Sequence, residues 1–278
     1  MNNARQKALL AMTECAIMVA LSTVLSLIKI VELPYGGSVT VASMLPIVVA
    51  VYRHGWAWGT GTALVNAVIQ MLLGLNTFSY FTTWQSLLAL ALLDYIVAFL
   101  VFALAAVFKK VIKQQNLAML LGVTLACVLR YACHVISGAT VWAGLSIPDE
   151  AALLYSLSYN ATYMVPDALI LIITTAYIFS VMDFRKKVPM RISNTGIPIR
   201  SAYCYIGAGL CALVAVIVDT ALVFSKLQDA ESGEFMITGI SDVNFVAFGI
   251  VTGIAVVAAA VLVILAKTFF ANRTNKIA

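Results

Sequence analysis

Apolar runs of 18 or more residues recur along this chain, and no other sequence feature restricts its fold so strongly. Each run is long enough to cross the hydrocarbon core of a bilayer as a helix. A barrel would need short strands of alternating polarity, whereas these runs are continuous. Charge content agrees. Of 278 residues, 63% are hydrophobic and 10% are charged, against about 25% charged in a soluble domain. The sequence therefore predicts an all-α integral membrane protein.

Eight spans are expected, at roughly 9–31, 39–52, 56–75, 84–108, 117–144, 151–181, 203–225 and 243–267. The basic residues fall in alternate loops. Arg5, Lys7, Arg53, Lys109, Lys110, Lys113, Arg185, Lys186, Lys187, Arg191, Arg200, Lys267, Arg273 and Lys276 share one side, 14 of 17 in all. Glu32, Asp149, Glu150, Asp229, Glu231, Glu234 and Asp242 occupy the other, with only Lys29 and Lys226 near them. The positive-inside rule then places both termini in the cytoplasm. The same distribution disposes of nucleic acid as the reason for the formal charge of +5, since no basic stripe forms on a soluble face.

The basic stretch broken by Pro189, Gly196 and Pro198 reads as a linker over 183–202, dividing a six-helix domain (1–182) from a final helix pair (203–278). Cysteines 15, 127, 133, 204 and 211 have neither metal-ligand spacing nor a disulfide framework and read as core residues. No cleavable signal peptide is expected, because the first apolar run is too long for a signal h-region.

Ionisable residues inside spans are costly and mark function by default. Here they are Glu14, Asp94, Arg130, His134, Asp167 and Asp219. At the helical rise, Asp94 lies about 15 Å below the outer edge of its span, Arg130 about 21 Å and His134 about 15 Å. Arg130 and His134, four residues apart, share a helix face with Trp142, and Tyr155 and Asn160 enter the next span at the same end. On this reading Asp94 and Arg130 neutralise each other in an empty site, structurally or as ligand groups. Of the aromatics at this end, Tyr80 and Phe81 read as an interfacial belt. Trp142 and Tyr155 read as a box around the polar cluster. A carboxylate among aromatic faces suits an organic cation.

LRYACHVISGATVW (129–142) and YSLSYNATYMVP (155–166), with LLDYIVAF (92–99) and PYGGSV (34–39), resemble the thiamine-specific substrate-binding subunit of energy-coupling factor (ECF) transporters over about residues 8–182. The resemblance implies a six-helix substrate-binding (S) component that holds thiamine near the outer surface, beneath the first loop. It carries the binding roles onto Asp94, Tyr95, Arg130, His134, Trp142, Tyr155 and Asn160. Some members place glutamate and lysine at the positions of Asp94 and Arg130, and a tryptophan in the first loop where this chain has PYGGSV. Trp84 or Tyr35 is the candidate for that aromatic. The helix pair at 203–267 is additional to the family's six.

The resemblance further implies a shared transmembrane coupling subunit and two ATPases as partners in the cell membrane of a prokaryote. The chain itself lacks the GxxxxGK[ST] phosphate loop. Ala16 and Ala20 form a small-xxx-small face suited to close helix contact with such a partner. No cofactor and no metal are expected, thiamine being the cargo. The alternative is an autonomous secondary transporter in which Asp94, His134 and Asp219 carry protons. An intramembrane enzyme is disfavoured because no HExxH-type spacing occurs and one of only two histidines, His54, lies in a loop.

Overall fold

The computed structural model describes residues 3–33, 36–143, 152–192, 199–227 and 237–277. Pro34, Tyr35, Asp149, Glu150, Asp229, Glu231, Glu234 and linker positions 193–198 lie outside the described residues, as do the side chains of Arg273 and Lys276. The helices are α1 (Asn3–Leu27), α2 (Leu45–Leu73), α3 (Trp84–Lys110), α4 (Gln115–Thr140), α5 (Ala152–Val181), α6 (Ile199–Leu227) and α7 (Phe245–Ile277). By length and composition, six of them can cross a membrane: Ala4–Leu27, Trp84–Lys110, Gln115–Thr140, Ala152–Val181, Tyr203–Leu227 and Phe245–Phe269.

The seventh helix, α2, accounts for the difference from the eight expected spans. The runs at 39–52 and 56–75 are not two separate helices but the arms of α2, which bends at Gly55 (φ 80, ψ −171). That conformation is open to glycine and closed to most other residues. Val39 and Thr40, expected to open the second span, lie instead in a strand, Ser38–Thr40.

Polar contacts tie the bend to its neighbours. Arg53 Nε and Nη2 donate to the two carboxylate oxygens of Glu14 on α1, at 2.7 and 2.8 Å. Its other donors reach the carbonyls of Phe184, Lys186 and Lys187. His54 Nε2 lies 2.7 Å from Glu14 Oε2, and Lys109 Nζ donates to the carbonyl of Tyr52. Glu14, flagged in the sequence as an intramembrane carboxylate, is thus half of a structural ion pair.

Two features prepare the site. First, α3 is not uniformly α-helical: Ala91–Val97 is a π-helical segment that contains Asp94 and Tyr95. Such segments concentrate at functional sites because the wider turn re-aims side chains. Second, β1 (Lys29–Glu32) and β2 (Ser38–Thr40) pair antiparallel with Val31 opposite Val39, which a purely helical reading misses. Gly36 has φ 101, and a Cβ at Gly37 would stand 2.9 Å from the Tyr163 ring. The glycine pair therefore lets this hairpin lie directly on α5.

The chain divides into two compact units, one of Met1–Ser180 with Phe184–Pro189, the other of Val181–Asp183 with Met190–Ala278. In the second, Met182–Asp183 pairs with Met190–Arg191 as β3 and β4, and α6 packs along α7. Within that unit Thr252 Oγ1 donates to Asp219 Oδ2 at 2.6 Å, so Asp219 serves as a helix–helix contact. Interhelical hydrogen bonds of this kind hold transmembrane pairs together.

Candidate functional site

Asp94, aimed inward by the π segment of α3, is the centre of the cluster. Its Oδ2 accepts from Trp142 Nε1 at 3.0 Å, and its Oδ1 lies 3.2 Å from His134 Nδ1. Both side chains of the Asp94–His134 pair are nearly buried, at 12% and 13% exposed. The geometry fits His134 donating from Nδ1. Its other nitrogen, Nε2, is buried with no hydrogen-bond partner among the described residues.

Trp142, just past the end of α4, is buried. Phe81 meets its ring edge-on at 4.8 Å between centroids, and Tyr80 lies tilted against it at 6.0 Å. This corrects the belt reading for Phe81, whereas Tyr80 is 48% exposed, as a belt residue would be. Phe81 is 7% exposed, so it supports the site tryptophan instead of facing lipid. On α5, Asn160 Nδ2 donates to the His134 carbonyl at 3.3 Å and to Ser156, while its Oδ1 accepts from Tyr163 Oη at 2.7 Å. Tyr163 in turn presents its ring to His134, centroids 6.4 Å apart at 85°. Gly37 of the hairpin lies against this ring.

The expected Asp94–Arg130 neutralisation is not what the structure shows. Arg130 Nη1 is 3.4 Å from Asp167 Oδ2 instead. Asp167 Oδ1 accepts from the Thr40 amide at 2.9 Å and from Thr40 Oγ1 at 2.8 Å. With its proton committed to the carboxylate, the Thr40 hydroxyl can only accept from Ser43 Oγ, 2.9 Å away. The guanidinium also covers the Phe99 ring at 4.8 Å, and its Nε is buried without a partner among the described residues. The physical reason for the exchange is placement. Asp94 lies level with His134, one turn from Arg130, whereas Asp167 lies two turns along α5 from Asn160 and meets Arg130 there.

The remaining expected residues divide. Tyr155 is buried on α5 towards its N-terminus. Tyr95 is turned away from the cluster: its hydroxyl donates to the Gly74 carbonyl at 3.3 Å and its ring stacks on Phe78. Trp84 is 69% exposed at the start of α3. Ala16 and Ala20 lie on the exposed side of α1, with Leu9, Met12, Ile17, Leu21 and Val24. Sequence reasoning flagged Asp167 as a costly intramembrane carboxylate but did not join it to the cluster, and it left out Thr40, Tyr163 and Phe81. For Asp167 a signal existed, namely its spacing of seven from Asn160 on one helix face.

Comparison with known proteins places these residues in a family context. A family model described as thiamine transporter protein matches residues 12–186, which include every residue of the cluster. The thiamine transporter ThiT of Bacillus subtilis is 34% identical over 190 residues, spanning 64% of this chain and 94% of that protein. A solved structure of ThiT from Listeria monocytogenes superposes with a TM-score of 0.51, covering 62% of this chain and 94% of that one. At 23% identity that superposition speaks to the fold.

Proposed function

The chain belongs to the thiamine transporter protein family, and on that premise we propose that it is the thiamine-capturing subunit of an ATP-driven importer. It is a multi-pass membrane protein of vitamin uptake and a transporter, not an enzyme. The observation that carries the proposal is the nearly buried carboxylate of Asp94. It meets an indole N–H and a histidine ring, with Phe81, Tyr80 and Tyr163 grouped behind them. A permanent ring cation such as thiazolium gains from such a carboxylate and from aromatic faces. It has no proton to donate, so hydrogen bonds alone cannot select it.

In this proposal Asp94 and Asn160 answer the donors and acceptors of the aminopyrimidine, and Trp142 and His134 offer ring faces. Tyr155 closes the outer end. Arg130 sits behind the ligand, and Tyr95 positions the π segment by its bond to Gly74. Trp84 is left outside the contact set by its exposure. No cofactor takes part, and thiamine is cargo.

The chain carries no phosphate loop, so energy must come from elsewhere. We assign it to a shared coupling subunit and two ATPases of the ECF type. The exposed α1 face around Ala16 and Ala20 would meet the coupling subunit. Residues 1–182 form the binding domain, 183–202 a cytoplasmic linker and 203–278 an accessory helix pair, with both termini cytoplasmic. That arrangement is supported by the loop charges and by the end of the family match at residue 186.

The test is titration calorimetry on the purified chain without ATP. Saturation by thiamine at one-to-one is expected. Absence of heat with thiamine, while another vitamin saturates, would overturn the assignment. Uptake that persists in cells lacking the partner ATPases would favour proton-coupled transport by the chain alone.

A further inference from the structure

Arg130 poses an electrostatic problem for any site that binds a cation. It stands one turn from His134, so a guanidinium charge lies roughly 10 Å or less from a ligand held by Asp94. Its side chain is 17% exposed, and water screens it only partly. Were Asp94 its counter-ion, the two charges would cancel, and the uncompensated carboxylate would be Asp167 instead of the one beside His134 and Trp142.

The structure gives Arg130 a carboxylate of its own. Asp167, 12% exposed, takes Nη1 on one oxygen and both polar groups of Thr40 on the other. Asp94 is left with Trp142 Nε1 and His134 Nδ1, neither of them a permanent cation. We propose that Asp167 is a specificity-determining residue: it cancels Arg130 so that the negative charge of Asp94 stays available to a cationic ligand. This rests on the reading of the cluster as a thiamine site. Asp167 does not touch the ligand in this scheme but acts through Arg130.

A purely structural reading is also available, because Asp167 anchors β2 through Thr40. The two roles differ in what they do to different ligands. An anchor holds the hairpin in place and serves any ligand equally. A counter-ion serves the charged ligand and is indifferent to a neutral one of the same shape.

The experiment measures the affinities of thiamine and of its neutral thiophene isostere for the full-length chain. The quantity read is their ratio. In Asp167→Asn, Arg130 keeps its charge uncancelled. At about 10 Å and an effective dielectric near 20, thiamine should weaken by roughly tenfold relative to the isostere. Arg130→Gln removes the opposing cation, and the ratio should shift the other way, in favour of thiamine. The double variant should return it to within about twofold of the parent. Asp167→Glu, which keeps the charge, should keep the parent ratio. Thr40→Val loses one anchoring bond without changing charge and should weaken both ligands by the same factor.

If Asp167→Asn weakens both ligands equally, Asp167 is an anchor only and the proposal fails. Should Asp167→Asn not fold, an unmoved ratio in Arg130→Gln overturns it just as well. A parent protein that ignores thiamine would instead overturn the functional reading itself.

Discussion

Replacing Asp94 by asparagine separates the charge of the site from its shape. The amide oxygen can still accept from Trp142 Nε1, now 3.0 Å from the carboxylate. The amide NH₂ would face His134 Nδ1, now 3.2 Å from Oδ1. Imidazole can accept there by moving its proton to Nε2, which has no partner among the described residues. The empty protein should therefore keep its packing and unfold at or above the parental temperature, since the substitution also removes the net buried charge. Binding loses more. Exchanging a charged for a neutral hydrogen bond costs about 1 kcal/mol. The Coulomb attraction of a carboxylate for a ring cation at about 5 Å, with an effective dielectric near 20, is about 3 kcal/mol before solvent screening. Allowing for that screening, a net loss of about 2–3 kcal/mol is expected, or roughly 30- to 150-fold in Kd. Quenching of tryptophan fluorescence by thiamine reads the Kd, and thermal unfolding of the apo protein checks the fold. A variant with a parental or higher unfolding temperature and a Kd within about twofold of the parent would refute Asp94 as the cation's partner.

Trp142→Ala should cost about 1 kcal/mol or more in thiamine affinity and abolish most of the ligand-induced quenching; unchanged quenching would place the stacking ring elsewhere. Glu14→Gln leaves Arg53, whose side chain is 5% exposed, without a counter-charge, and thermal or denaturant unfolding should show a loss of about 3 kcal/mol. Gly55→Val forces a branched residue to φ 80 and should lower stability by about 1–3 kcal/mol in the same assay. Truncation after Pro189, which keeps the carbonyls of Phe184, Lys186 and Lys187 that Arg53 binds, should hold thiamine affinity within about threefold by calorimetry; a tenfold loss would bring α6 and α7 into the site.

The fold was legible where hydrophobicity alone decides. Runs of continuous apolar residues locate α1, α3, α4, α5, α6 and α7, because a bilayer leaves a helix little alternative. Legibility ended where backbone conformation turns on single residues. Gly55 merges two expected spans into one bent helix, and the Gly36–Gly37 pair makes a hairpin of what read as loop and span. Neither event leaves a trace in an averaged hydropathy. The site was legible as a set of costly polar residues at one depth, since Asp94, His134, Trp142 and Asn160 do meet. Its pairing was not. Depth along each helix says which groups are level, but rotation about the axis decides which carboxylate a guanidinium reaches. The π segment at Ala91–Val97 changes that rotation at Asp94.

The pairing matters more than the membership of the site. Asp94, Asp167 and Arg130 together carry one net negative charge when His134 is neutral. A bilayer interior penalises any net buried charge, so the empty cluster sits at an electrostatic disadvantage that one monovalent organic cation removes. His134 Nε2, buried without a hydrogen-bond partner among the described residues, points the same way. Exchange the partners, with Arg130 on Asp94 and Asp167 left alone, and the net charge is the same. Its focus then moves one turn along the helices, to a carboxylate held by Thr40 behind the aromatic rings. A cation drawn there would not reach Trp142 or Tyr163. In the proposed scheme, selectivity therefore arises from which of two carboxylates is left unneutralised beside the aromatic surfaces, a choice the backbone makes through the π segment of α3 and the register of α5.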